Sequence, residues 1–393
     1  MKSKITVVAA TAVTITLLFL SYLLLCYQPS ANQILCGISN LVAGNDLVYQ
    51  TYTVSEQSDA SQSTVDDEAG SNASETGTDV LEASSGFKEE SEDAALRTML
   101  ATASTPDKTV IITTLNQAWA AKNTMIDIFL ESFHKGENIQ FLLNHLVIVA
   151  LDQTSYDRCQ ELHNHCLMLK TKGVDFSGNK GFMSKDFLKM MWRRMRLLRT
   201  ILEMGYNFVF TDADILWFRN PFERFANNTD FQISSDKNRG NAWSLRNKPN
   251  CGFQYARSNE RTIAMYRHWC KGGDDNPDID EQSLLTVMLK GQDFAAFKVE
   301  VRFLQTDYFS GFCQQKSKNI SKVVTMHANC CTGLNNKVQD LRLALNDWEG
   351  RASLPPTVNA SDLWRVPKAC RHSVFPSPPP PPQLIDPSEN LEG

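Results

Sequence analysis

Apolar and polar positions divide the 393-residue chain into four stretches. Residues 5–27 form an uncharged run dominated by Leu, Val, Ile, Ala and Phe. A helix of about 20 such residues crosses a bilayer core, and the run exceeds the apolar core of a cleaved leader, so 1–27 reads as a short tip and an uncleaved anchor. Residues 28–104 are rich in Ser, Thr, Glu, Asp, Gly and Ala and carry few large apolar side chains. Such a segment cannot bury enough surface to offset chain entropy, which predicts a disordered stem. Residues 105–372 alternate two periodicities and form the expected folded domain. The stretch 373–393 is nearly all proline between 376 and 382, which predicts an extended tail.

Within the domain, the β-branched run 109–115 predicts a strand, 118–134 a helix, 146–151 a buried strand and 155–169 a second helix. The longest helical pattern covers 184–204, with Phe187, Met191, Met195, Leu198 and Leu202 on one stripe and Gly205 as its stop. Short apolar strands follow at 206–210 and, much later, at 323–326. Strands alternating with helices predict an α/β class with a mostly parallel, Rossmann-like sheet covered on both faces. Ligands of such sheets lie beyond the carboxyl ends of the strands.

Charge adds an orientation. Lys2 and Lys4 precede the apolar run and no basic residue follows before Lys88, which places the N-terminus in the cytoplasm. Residues 46–93 hold thirteen acids against Lys88 alone, while the remainder is mildly basic, too weakly to point to nucleic acid. Sequons at Asn72, Asn227, Asn319 and Asn359 and eight cysteines after residue 158 agree with a luminal or extracellular side. Cys330 and Cys331 are adjacent, so if both are bridged they go to different partners. Without any CxxC pair, a zinc site is disfavoured against disulfides or buried thiols.

The candidate chemistry follows the strand at 206–210. Asp212 and Asp214, spaced i and i+2, project to one side of an extended backbone and suit one hard divalent cation, Mn2+ or Mg2+. That cation would neutralise diphosphate oxygens and improve a nucleotide diphosphate as leaving group. A bare Asp-x-Asp is a common surface turn, but here Trp217, Phe218 and Phe222 follow it. Two rivals use the same residues. A haloacid-dehalogenase-like luminal phosphatase would take Asp212 as nucleophile, with the acidic run 273–278 as its later motif. A non-catalytic protein would keep the fold as a binding module.

The segment Thr-Asp-Ala-Asp-Ile-Leu-Trp-Phe-Arg-Asn-Pro-Phe at 211–222 resembles the signature of plant nucleotide-diphospho-sugar transferases of glycosyltransferase family 77. Further matches are Asn-Cys-Gly-Phe-Gln-Tyr-Ala-Arg-Ser-Asn at 250–259, Asp-Glu-Gln at 280–282 and His-Ala-Asn-Cys-Cys-Thr-Gly at 327–333, together covering about 107–350. The resemblance implies a GT-A fold, a single-pass type II topology in the Golgi membrane with a luminal domain, and a metal-dependent, retaining transfer. The donor would be a UDP-sugar, pentose or hexose, and the acceptor a cell-wall polysaccharide or a glycoprotein. It also implies His327 as third metal ligand and Lys337 as a diphosphate contact. Asn250 and Gly252 would line the donor sugar, and Asp280, Glu281 or Gln282 would lie beneath its ring. Without the resemblance, a lone His is more often structural, Lys337 a solvated helix lysine, and Asp280-Glu281 an ordinary acidic helix start. Arg193, Arg194, Arg196 and Arg199 read mainly as a solvated basic face from which one or two approach the diphosphate, and Trp192 mainly as core.

Overall fold

The computed structural model describes residues 92–171, 173–313, 319–351 and 364–372. The expected anchor at 1–27, most of the stem and the proline-rich tail lie outside them. Among the described residues, no helix is long and apolar enough to cross a membrane.

The chain enters through helix α1 (92–103), then strand β1 (Thr109–Leu115), helix α2 (Met125–Lys135), β2 (Leu146–Ala150), α3 (Gln153–Leu162) and β3 (Cys166–Met168). The long α4 (Lys185–Glu203), β4 (Asn207–Thr211), β5 (Ile215–Trp217), β6 (Phe231–Lys237) and β7 (Lys248–Ala256) follow. Then come α5 (Glu260–Asp275), α6 (Glu281–Met288), β8 (Val301–Phe303), β9 (Phe309–Gly311), β10 (Thr325–His327) and α7 (Leu334–Gly350). Seven strands form the main sheet in the order β3-β2-β1-β4-β7-β6-β8, and β5-β10-β9 form a small second sheet. The pairs from β3 to β4 are parallel, β7 runs against both neighbours, and β8 is parallel to β6. The expected α/β class with a mostly parallel sheet is therefore observed.

Sequence alternation builds the two faces. On β1, β2 and β4, Ile111, Ile148 and Val209 join one apolar cluster with Phe129 and Phe133 of α2 and Leu341 and Trp348 of α7. Their chain neighbours Val110, Ile112, Val147, Val149, Phe208 and Phe210 join the other, under Leu100 of α1, Met195 and Leu198 of α4, and Trp269 of α5. Successive side chains point to opposite faces, and burial on both faces makes these strands predominantly apolar or β-branched.

Three expectations need correction. The stem does not reach residue 104. Leu96, Leu100 and Ala103 of α1 are buried in the second cluster, so three apolar residues at helical spacing dock the end of a polar segment. The helix expected over 118–134 is split into Gln117–Ala120 and α2, with Asn123 at φ 61 between them. The helix expected over 155–169 ends at Leu162, because Cys166–Met168 pairs with the open edge of β2, and a Cys159–Cys166 disulfide ties the two together. By contrast α4 keeps its predicted limits. The Ser184 hydroxyl accepts from the Phe187 N–H at its start, and Gly205 adopts φ 84 past its end.

Two further disulfides, Cys313–Cys330 and Cys331–Cys370, send the adjacent cysteines to different partners. They brace both sides of the loop between β10 and α7. Cys251 and Cys270 are free and buried.

Candidate active site

The site forms where the main sheet hands over to the small one. Residue 212 follows β4, and β5 begins three residues later. On one side, β4 pairs with β7 through Thr211 and Phe253, so the Asp212 N–H donates to the Gly252 carbonyl at 2.7 Å. On the other, β5 pairs antiparallel with β10, setting His327 opposite Ile215, and the Ala328 N–H donates to the Asp214 carbonyl at 3.0 Å. Backbone pairing alone thus brings Asp212, Asp214 and His327 together.

One ligand atom from each of the three lies within 4.8 Å of the others. Asp214 is 1% exposed. Its Oδ1 is buried without a hydrogen bond and stands 3.1 Å from His327 Nε2, while its Oδ2 is 2.6 Å from Lys337 Nζ. Burial works to raise the Asp214 pKa, but the charges of Lys337 and His327 outweigh it and hold the carboxyl well below the usual range. Burial likewise opposes the His327 imidazolium, yet Asp214 and Asp212 hold its pKa above the ordinary value. Two carboxylates, an imidazole and an unsatisfied buried oxygen fit a divalent cation. A third wall is bare backbone. A Cβ on Gly252 would lie 2.5 Å from both Asp212 Oδ2 and His327 Cε1. Gly252→Ala is therefore expected to weaken divalent-cation binding at this site about 10–100-fold, the range seen when support around a metal is disturbed; calorimetric titration of the purified variant with a divalent metal salt measures it.

Of the four arginines on α4, the structure singles out Arg194. It is 4% exposed; its Nη1 donates to Asp212 at 2.9 Å and its Nη2 to Glu281 at 2.5 Å, and its guanidinium lies 4.6 Å from the Phe210 ring centroid. The other three make surface pairs: Arg193 with Glu92, Arg196 with Asp274, and Arg199 with Glu203. Trp192 is core, donating to the Ile279 carbonyl and packing on Gly273.

The triplet at 280–282 separates into three roles. Asp280 caps α6, accepting the Ser283 N–H at 2.9 Å, which is the helix-start reading. Glu281 is buried and pushed up to about 7 by burial, against the opposing charge of Arg194, and its Oε2 has no hydrogen-bond partner. Gln282 faces β7 beside Gly252, accepting the Cys251 N–H at 3.1 Å. Its Nε2 donates to Asp236 at 3.1 Å. Asp236 also accepts from Asn250 at 2.9 Å and from Asn329 at 3.0 Å. Asn250 Oδ1 in turn receives the Gly252 N–H at 3.0 Å. Sequence reasoning missed Asp236, which gathers three amides from β7, α6 and the loop after β10. It also missed Trp119, whose ring lies 5.4 Å from Lys337 Nζ. Lys337 itself is held at the site by its bond to Asp214.

With this geometry in place, the family follows from comparison. The chain belongs to the nucleotide-diphospho-sugar transferases, whose family profile matches residues 141–341. Its relatives include the uncharacterized Arabidopsis thaliana protein At4g15970, 44% identical over 274 residues, 69% of this chain and 72% of that one. They also include the beta-arabinofuranosyltransferase RAY1 of the same plant, 34% identical over 86 residues, 21% of this chain and 16% of that one. The Dictyostelium discoideum UDP-galactose:fucoside alpha-3-galactosyltransferase is 29% identical over 124 residues, 31% of this chain and 19% of that one. This chain is accordingly a glycosyltransferase with an α/β domain that works on a nucleotide sugar. The phosphatase alternative fails: its acidic run lies at the end of α5 and just beyond, where Asp274 pairs with Arg196 and Asp275 with Lys271.

Proposed function

We propose that this chain transfers a pentose or hexose from a UDP-sugar, with retention of configuration, to a cell-wall polysaccharide or glycoprotein. The observation that carries the reading is the convergence of Asp212, Asp214 and His327 at the sheet junction, with a buried Asp214 oxygen that makes no hydrogen bond and faces the His327 ring. A bound divalent cation, manganese or magnesium, would supply neutralisation of the diphosphate. Lys337 stands beside Asp214 to reach the same oxygens, and the half-buried Trp119 ring beside it offers a face to the nucleotide. Gln282 and Asn250, fixed by Asp236, line the sugar side. In the retaining step the acceptor oxygen bonds to the anomeric carbon as the carbon–phosphate-oxygen bond breaks. The departing phosphate takes the acceptor proton, so no side-chain base is required.

The same reading places the domain in the Golgi lumen behind an anchor at 5–27. The three disulfides suit such an oxidising compartment. The test is calorimetry of the domain from residue 92 onward with UDP, with and without manganese, followed by turnover of a panel of labelled UDP-sugars. Metal-dependent UDP binding and release of labelled sugar are expected. UDP binding without turnover of any donor would favour the non-catalytic alternative, and absence of metal-dependent UDP binding would sink the proposal.

A further inference from the structure

The hairpin joining β6 to β7 has a tip that the donor site does not use. Residues 237–248 read Lys-Asn-Arg-Gly-Asn-Ala-Trp-Ser-Leu-Arg-Asn-Lys, four cations and no acid. The strands beneath carry the site: Asp236 is the next-to-last residue of β6, Asn250 and Gly252 lie on β7, and Lys248 Nζ is 4.0 Å from Asp236 Oδ2. The tip therefore rises from the rim of the sugar-side wall. At its centre Trp243 is 49% exposed, one of three large apolar side chains so exposed among the described residues.

The exposure is built. Asn247, 1% exposed, accepts the Arg239 N–H at 2.7 Å and donates to the Asn241 carbonyl at 2.8 Å. The Asn241 side chain accepts the Trp243 N–H at 2.9 Å, and the Ala242 carbonyl accepts from Phe303 of β8 at 2.7 Å. Gly240 sits at φ 93, where a side chain would be strained. A loop so braced holds an indole outward without ordering cost on binding. Lys237, Arg239 and Arg246 are exposed and have no acidic partner among the described residues. Through Leu304, whose carbonyl accepts from Asn238, the tip adjoins a cavity of about 210 Å³ that Arg224, Arg302 and Tyr308 line together with the acid Glu223.

Resting on the transferase reading, we infer that the tip is the acceptor platform and that the acceptor is an acidic, carboxylate-bearing glycan. The donor diphosphate has the metal site and Lys337 to meet its charge, so Lys237, Arg239 and Arg246 of the tip are left to meet another anion. An aromatic face flanked by cations suits a uronic acid: its ring lies on Trp243 while its carboxylate meets Arg239, Arg246 or Lys248. A neutral glycan would leave those charges without a counterpart, and charge complementarity selects the partner.

The test uses a short oligogalacturonide and its fully methyl-esterified, neutral counterpart, titrated at low salt into the domain loaded with UDP and manganese. The acidic form is expected to bind about tenfold tighter or more, with the advantage lost as salt screens it. Trp243→Ala and the pair Arg239→Ala/Arg246→Ala should each weaken acidic binding about tenfold and leave UDP affinity unchanged. Equal binding of acid and ester, unchanged binding in the variants, or binding to anionic lipid vesicles in place of the uronide would overturn the inference while leaving the transferase reading intact. Failure of the wild type to bind UDP would strike that reading, and the inference with it.

Discussion

Asp214→Asn lowers transfer by about a thousandfold or more, the scale at which loss of a transition-state electrostatic contact is felt. The homologous change at Asp212 costs less. Asp214 is buried and its Oδ1 makes no hydrogen bond, so neither water nor another side chain replaces it as ligand. The Asp212 side chain is 28% exposed and already bound by Arg194, so an amide there keeps its place and water has access. Manganese titration of UDP binding separates the two: Asp214→Asn abolishes the metal dependence and Asp212→Asn weakens it. Equal losses would contradict the assignment of Asp214 as the firmer ligand. The same site predicts a pH dependence. The neighbouring carboxylates hold the His327 pKa above its ordinary value, so ligation displaces a proton, and metal affinity falls as pH drops through that raised pKa.

Arg194→Met is expected to cost about 3–5 kcal/mol of stability, because it leaves two carboxylates with no buried cation. Arg194 is nearly inaccessible, bridges Asp212 and Glu281, and covers the Phe210 ring. Adding Glu281→Gln should restore about 1–3 kcal/mol, the coupling expected of groups in one network. It should not restore UDP binding, because Asp212 still lacks the group that orients it. Denaturant melts of the single and double variants give the first quantity and calorimetry the second. A single variant as stable as the wild type would overturn the view of this network as a structural keystone beneath the metal.

Much of this could be read before any coordinates. β1 and β4 were visible because strands buried on both faces are built mostly from apolar and β-branched residues. The stripe on α4 fixed both its limits and its inward face. Asp212, Asp214 and His327 were legible only in part from chemistry; the resemblance joined the histidine to the acids, and the antiparallel pairing of β5 with β10 explains why they meet. Arg194 was hidden by its neighbours. Read among four arginines it looks like a wet face, yet it lies three residues after Met191 and four before Leu198, on the apolar stripe. Asp236 left no trace, since its role consists of amides brought from residues 250, 282 and 329 by the fold. The strand Cys166–Met168 was missed because its identity comes from the free edge of β2, a partner that no local window contains.

The β6–β7 ladder contains irregularities between Ile233 and Ser234 and between Ser235 and Lys237. They lie between the strand bodies and the tip, whereas the placement of Gly252 beside Asp212 is fixed independently by the pairing of β7 with β4. A length change in an unbroken ladder would slip the register and turn Phe253 where Gly252 should be. Here the bulges absorb it. The hairpin thus behaves as two parts of one ribbon: a fixed hinge that serves the donor, and an interchangeable end. If the tip meets the acceptor as inferred above, the ten residues 238–247 are expected to accept substitution for a different acceptor without moving Gly252 from Asp212.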